Sequence, residues 1–131
     1  MNRTRVLLAD DSPLLLGTIE RLIGLEFDVV GAVEDGLTLL REAKRLSPEV
    51  LVVDISMPGL TGLEVLHAVQ QDMLDAKVII LTCQDDRELV EDAMACGVSG
   101  YVLKSTADRD LIPAIRSAMA GELYLSASLR R

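Results

Sequence analysis

Apolar residues in this chain come in two kinds of stretch that alternate with each other. The first kind is short and unbroken: Val6 to Ala9, Phe27 to Val33, Val50 to Val53, Lys77 to Leu81, and Tyr101 to Leu103. Runs without polar alternation read as strands buried on both faces, as in a parallel sheet. Asp28 and Gly31 interrupt the second run, which predicts an edge position for it. In the second kind of stretch, apolar residues recur every three or four positions, the spacing of a helix face. Ser12-Pro13 opens the first such stretch as a cap and a first-turn proline, and Leu15, Ile19, Leu22 and Ile23 predict a helix to about Leu25. Leu39, Leu40, Ala43 and Leu46 predict a second over Gly36–Leu46, stopped by Ser47-Pro48. Thr61-Gly62-Leu63-Glu64 has the capping-box pattern and opens a third, carrying Leu66, Val69 and Met73. Asp85 or Asp86 is expected to cap a fourth, with Leu89, Val90, Ala93 and Met94 inward and Gly97 as its stop. A fifth carries Leu111, Ile112, Ile115, Ala118 and Met119 up to Gly121. Pro113 costs about 3 kcal/mol in a helix interior, so this last helix is expected to start near Asp108–Asp110 or to bend at Pro113.

Strands and helices in strict alternation imply an open parallel sheet covered on both faces. A length of 131 residues suits one domain. With half the residues apolar and 2% aromatic, the core must be aliphatic. A formal net charge of −8 repels a phosphate backbone, so the domain is not expected to grip nucleic acid by itself. No apolar run approaches the roughly 18–20 residues of a membrane span, and the apolar residues before Asp10 are too few for a signal peptide. Cys83 and Cys96 form neither a CxxC pair nor, with the single histidine, a zinc site. Reduced thiols and a cytoplasmic location follow as the expectation. After Gly121 the chain keeps apolar positions and then ends at Arg130-Arg131, which reads as the start of a linker.

Candidate chemistry sits at the carboxyl ends of the predicted strands. Four aliphatic residues run into Asp54, and Pro58-Gly59 follows at once. Asp10 and Asp11 end the first strand, Thr82 the fourth, and Lys104 the fifth. In a parallel sheet these ends share one rim, where ligands bind. Three carboxylates so placed repel by about 3 kcal/mol per pair at roughly 5 Å and an effective dielectric near 20. They must share protons, lean on Lys104 or bind a cation. Oxygen-only donors suit magnesium. A carboxylate nucleophile with a lysine and a hydroxyl beside it is equipped for phosphoryl transfer.

The motifs Leu8-Ala9-Asp10-Asp11, Val53-Asp54-Ile55-Ser56-Met57-Pro58-Gly59, Leu81-Thr82 and Gly97-Val98-Ser99-Gly100-Tyr101-Val102-Leu103-Lys104 resemble the receiver domains of two-component response regulators. The similarity spans roughly residues 4–121, and Gly97–Ser126 is closest to receivers that precede LuxR-like helix-turn-helix domains. The resemblance implies a flavodoxin-like (βα)5 doubly wound α/β fold with strand order 2-1-3-4-5. Residues 1–121 would be the receiver and 122–131 the start of a linker or tail, the effector domain being absent. Asp54 would be phosphorylated by a sensor histidine kinase, with Mg2+ held by Asp10, Asp11, Asp54 and the Ser56 carbonyl. Thr82 and Lys104 would meet the phosphoryl oxygens, and the rotamer of Tyr101 would follow Thr82. The output would be a shift in the surface of the fourth helix, fifth strand and fifth helix. Homodimers on phosphorylation, and DNA contact only through the missing domain, complete the expectation. The role is a signalling switch in transcription control, not a turnover enzyme.

Two positions depart from the family's commonest pattern. Cys83 stands where a very small residue is usual, which narrows access to Asp54. Ser105 follows Lys104 where proline is frequent, and a cis bond without proline costs roughly 2.5–4 kcal/mol, which argues against cis geometry. Ser56 and Gln84 flank the site at positions that vary with phosphoryl lifetime in the family. An aspartyl-phosphate phosphatase commonly wants a second aspartate where Ser56 stands. A flavodoxin-like cofactor binder wants Ser, Thr and Gly where Asp10-Asp11 stand. Both alternatives are therefore weak. His67 reads as an exposed or half-buried side chain, and Cys96 as core filler.

Overall fold

The computed structural model describes residues 3–83 and 87–130. Six parallel strands form one sheet in the order β2-β1-β3-β4-β5-β6. They are β1 (Arg5–Ala9), β2 (Asp28–Val33), β3 (Val50–Asp54), β4 (Lys77–Thr82), β5 (Gly100–Leu103) and β6 (Tyr124–Leu125). Between them run α1 (Pro13–Ile23), α2 (Gly36–Leu46), α3 (Gly62–Gln71), α4 (Arg87–Ala95) and α5 (Ala107–Met119). The expected order 2-1-3-4-5 holds, with β2 at the edge. The sixth strand is additional. The segment read as the start of a linker packs along β5, pairing Gly100 with Tyr124 and Tyr101 with Leu125.

Strand residues alternate between two aliphatic clusters. Leu7, Leu51, Val53, Ile80 and Tyr101 face α2, α3 and α4. Val6, Leu8, Val50, Val52, Ile79, Leu81 and Val102 face α1 and α5. Runs apolar at every position were required because both faces are covered.

Local chemistry sets the helix boundaries. Ser12 caps α1 by accepting the N–H of Leu15, and Asp35 caps α2 through Thr38. At α3 the box is complete: Thr61 Oγ1 accepts from Glu64 N and Glu64 Oε1 accepts from Thr61 N. Helix α1 ends at Ile23, two residues before the expected Leu25. Its last N–H bonds close on Glu20 and Ile23, and Leu25 is left exposed in the turn.

Three of the methionines placed inward prove exposed. Met73 lies beyond α3, 88% exposed with a φ of 54°. Met94 and Met119 are also exposed, because Val90 and Ala93 in α4, and Leu111, Ala114, Ile115 and Ala118 in α5, already fill the buried stripe. Asp85 and Asp86, expected as caps, lie outside the described residues.

Helix α5 begins at Ala107, after a 3-10 turn over Lys104–Thr106, and runs through Pro113. It therefore starts before the expected Asp108–Asp110, with the proline in its interior. The missing N–H leaves the carbonyl of Arg109 without its helical donor, and Arg109 is exposed, where water can serve. The buried stripe holds the helix together across that gap.

Candidate functional site

The rim of β1, β3, β4 and β5 brings the expected residues together. Asp10 follows β1 and is wholly buried, its carboxylate turned back so that Oδ1 accepts the N–H of Ser12 at 2.9 Å. Asp11, next in the chain, is exposed. Asp54 closes β3. Its carboxylate is also buried, with Oδ1 accepting the N–H of Ser56 at 3.1 Å. Carboxylate oxygens of Asp10, Asp11 and Asp54 lie within 4.8 Å of one another. Lys104, just past β5, joins two of them, with Nζ 2.9 Å from Asp10 and 3.2 Å from Asp54.

The backbone fixes Asp54 in place. The N–H of Ile55 donates to the Leu81 carbonyl of β4 at 2.9 Å, and that of Gly62 to the Ile55 carbonyl at 2.9 Å. A Cβ on Gly62 would sit 2.9 Å from Ile55 Cα and 3.1 Å from the Asp54 carbonyl, so only glycine lets α3 start this close to the strand end.

Above Asp54 lies an open cavity of about 350 Å³ lined by Asp11, Asp54, Ile55, Ser56, Thr82, Cys83, Leu89 and Lys104. Six of these were named from the sequence as site or flanking residues; Ile55 and Leu89 were not. Leu89 had been read only as a core position of its helix, and nothing in its spacing distinguishes a wall of the cavity from core. Cys83 is exposed at the cavity wall. Gln84 lies outside the described residues.

Tyr101 is fully buried under β5's α4 face and does not line the cavity. His67 is exposed on α3, with Nε2 3.6 Å from Cys96 Sγ, and lines no part of it either. Lys104 and Ser105 are joined by a trans bond, as are all described residues.

Burial pushes the Asp54 carboxyl above the ordinary carboxylate range, and the charge of Asp10 adds to this; the Ser56 N–H and Lys104 pull the other way. For Lys104 burial acts downward, but its hydrogen bond to Asp10 and the charges of Asp54 and Asp10 outweigh it and hold the ammonium above its usual range. One cation shared among three clustered carboxylates leaves negative charge in excess. That excess is what a second, oxygen-seeking cation would relieve.

A model of the response regulator receiver domain matches residues 6–116. The nitrate/nitrite response regulator protein NarL of Escherichia coli is 34% identical over 126 residues, which are 95% of this chain and 58% of that protein. The chain thus spans about three fifths of the length of the curated relatives it matches.

Among solved structures, a LuxR-family two-component response regulator from Aurantimonas sp. superposes with a TM-score of 0.92 at 28% identity, covering 98% of this chain and 93% of that one. A LuxR-family DNA-binding response regulator from Staphylococcus aureus superposes at 0.82 with 33% identity, covering 86% and 96%. An acidic rim, a lysine shared between Asp10 and Asp54 and, above all, a family match over most of the chain lead to one conclusion: the chain belongs to the response regulator receiver domains, of the kind found in LuxR-family regulators.

Proposed function

We propose that Asp54 accepts a phosphoryl group from a sensor histidine kinase and that this modification switches the domain. The convergence of Asp10, Asp11, Asp54, Thr82 and Lys104 on one rim carries the reading. An Asp54 carboxylate oxygen attacks phosphorus in line; the new O–P bond forms as the N–P bond to the kinase histidine breaks, and the freed imidazole keeps the electron pair. Lys104 places its ammonium beside the oxygens that gain charge, and the Thr82 hydroxyl donates to one of them. Asp10, Asp11, Asp54 and the Ser56 carbonyl would hold Mg2+, and the crowding of carboxylates around one lysine supports that fit. Bound there, magnesium supplies positive charge to the phosphoryl oxygens. Ser56 in place of an aspartate leaves no second carboxylate to activate water, which favours a modified switch over a turnover phosphatase.

The phosphorylated domain then changes the surface of α4, β5 and α5, with Thr82 and Tyr101 as the moving pair, and pairs with a second copy. DNA is reached through a separate domain, in keeping with the LuxR-family relatives. Among the described residues no helix is long and apolar enough to cross a membrane, and a cytoplasmic setting suits a partner kinase domain. Residues 1–121 act as the receiver, and Tyr124–Leu125 extend its sheet along β5.

Incubation with Mg2+ and acetyl phosphate, followed by intact mass spectrometry, tests the assignment. One labile phosphoryl group is expected on the wild type and none on Asp54→Ala. Robust labelling of that variant would sink the proposal, and sustained hydrolysis of many phosphate esters would favour the phosphatase instead.

A further inference from the structure

The C-terminal segment carries a polar network that the phosphorylation site does not use. Asp110, near the start of α5, accepts three hydroxyls: Thr106 at 2.5 Å and Ser126 at 2.7 Å on Oδ2, and Tyr124 at 2.7 Å on Oδ1. Ser126 is 1% exposed. While its hydroxyl donates to Asp110, its Oγ accepts the backbone N–H of Leu103 at 2.9 Å. Strand β6 is only two residues long, so the backbone ladder along β5 stops before Leu103, and the Ser126 side chain stands in for the missing strand carbonyl. The N–H of Ser126 donates in turn to the Tyr101 carbonyl at 3.1 Å. On the other face Leu129 is fully buried in the cluster that contains Tyr101, and its carbonyl accepts from Arg87 of α4 at 2.8 Å. The segment is therefore fastened to α5, β5 and α4 together.

One of those fastenings touches the site. Leu103 is covalently followed by Lys104, whose ammonium lies between Asp10 and Asp54. Thr106, at the far end of the same 3-10 turn, is held by Asp110. The backbone of Lys104 is thus gripped on both sides by groups that the C-terminal segment shares.

We propose that residues 122–130 form a transmission arm whose docking is linked to the state of Asp54 through the Ser126 clamp on Leu103. The inference rests on the phosphorylation of Asp54 proposed above. A phosphoryl group carries its charge beyond the carboxylate. As Lys104 follows it, the pull falls on the turn that the clamp and the Thr106–Asp110 bond hold in its present shape. Phosphorylation and arm docking then oppose each other, and linkage makes the effect reciprocal: whatever loosens the arm favours phosphorylation. A loosened arm uncovers β5 and the faces of α4 and α5 beside it, which changes the surface offered to a partner.

Amide hydrogen exchange on the 131-residue chain, with and without Mg2+ and acetyl phosphate, tests the linkage, with intact mass giving the phosphorylated fraction. The amides of Ser126 and Leu129 should exchange at least about tenfold faster in the phosphorylated form while those of β3 keep their protection. Ser126→Ala should loosen the arm in the unmodified chain and raise the fraction of Asp54 that is phosphorylated. Tyr124→Phe, which keeps the packing, should do both to a smaller degree. Lys104→Met should uncouple arm and site, so that the arm amides keep their protection when intact mass shows the phosphoryl group on Asp54. Unchanged arm amides on a wild-type chain whose mass shows the phosphoryl group would overturn the arm and leave the reading of Asp54 standing. Absence of the phosphoryl group on the wild type overturns that reading and the trigger with it.

Discussion

Lys104 stands at the start of one short turn, and Asp110 holds its other end through Thr106. Each is a charge with several partners, and each joins parts of the chain far apart in sequence. Asp10 and Asp54 needed no structure to be noticed, since a carboxylate at the end of an aliphatic run is conspicuous. Asp110 gave no such signal, because in the sequence it is one of two acidic residues in a helix's first turn. Burial acts to raise its pKa, but the hydroxyls of Thr106, Ser126 and Tyr124 outweigh it, with Arg109 adding a little, and the carboxyl is held below the ordinary carboxylate range. A carboxyl with a lowered folded-state pKa contributes stability above its unfolded value and loses it as pH falls through the folded one. Asp110 therefore stabilises the fold fully above pH 3.8 and progressively less below it. Thermal melts compared at about pH 6 and about pH 3 should show a smaller loss for Asp110→Asn than for the wild type. Equal losses would mean that the three hydroxyls do not favour the ionised form.

Among the elements, the junction between β3 and α3 couples stability to function most directly. Thr61 and Glu64 made the start of α3 readable from sequence, because a capping box needs only local spacing. The closeness of that start to Asp54 was not readable, because it depends on how the helix lies against the strand end. Gly62→Ala would force a Cβ against Ile55 Cα and the Asp54 carbonyl, both backbone and unable to swing aside. Overpacking of this kind costs about 1–3 kcal/mol. The denaturant midpoint should fall accordingly, and labelling by acetyl phosphate should slow by more than the unfolded fraction explains. A loss of stability with labelling of the folded fraction unchanged would place the strain away from Asp54. Helix α5 teaches the opposite lesson: Pro113 argued for a later start, yet the helix begins at Ala107 and carries the proline inside it along the buried stripe from Leu111 to Ala118.

At the scale of the molecule, the acidic rim is a local concentration of the charge that gives the chain its net −8. If the trio holds Mg2+, the ion binds the folded state alone and stabilises it by mass action. At about ten times its Kd the gain is about 1.4 kcal/mol, which is roughly 4–7 °C in Tm for a domain of this size. The gain should exceed that from sodium chloride at equal ionic strength and shrink in Asp11→Asn. Matching the salt control would show general screening rather than a site.

The sequence by itself determined the α/β alternation, the strand order its family implies, and the residues on the rim. It could do so because short unalternating aliphatic runs between helical stretches read as strands covered on both faces, and because three of them run into Asp10, Asp54 and Lys104, charged side chains that a core does not ask for. Tertiary structure alone decided the arm. Tyr124, Leu125, Ser126 and Leu129 are too short a stretch to declare a period, and they became a sixth strand and two anchors only because β5 offered an open edge and α4 and α5 offered room beside it.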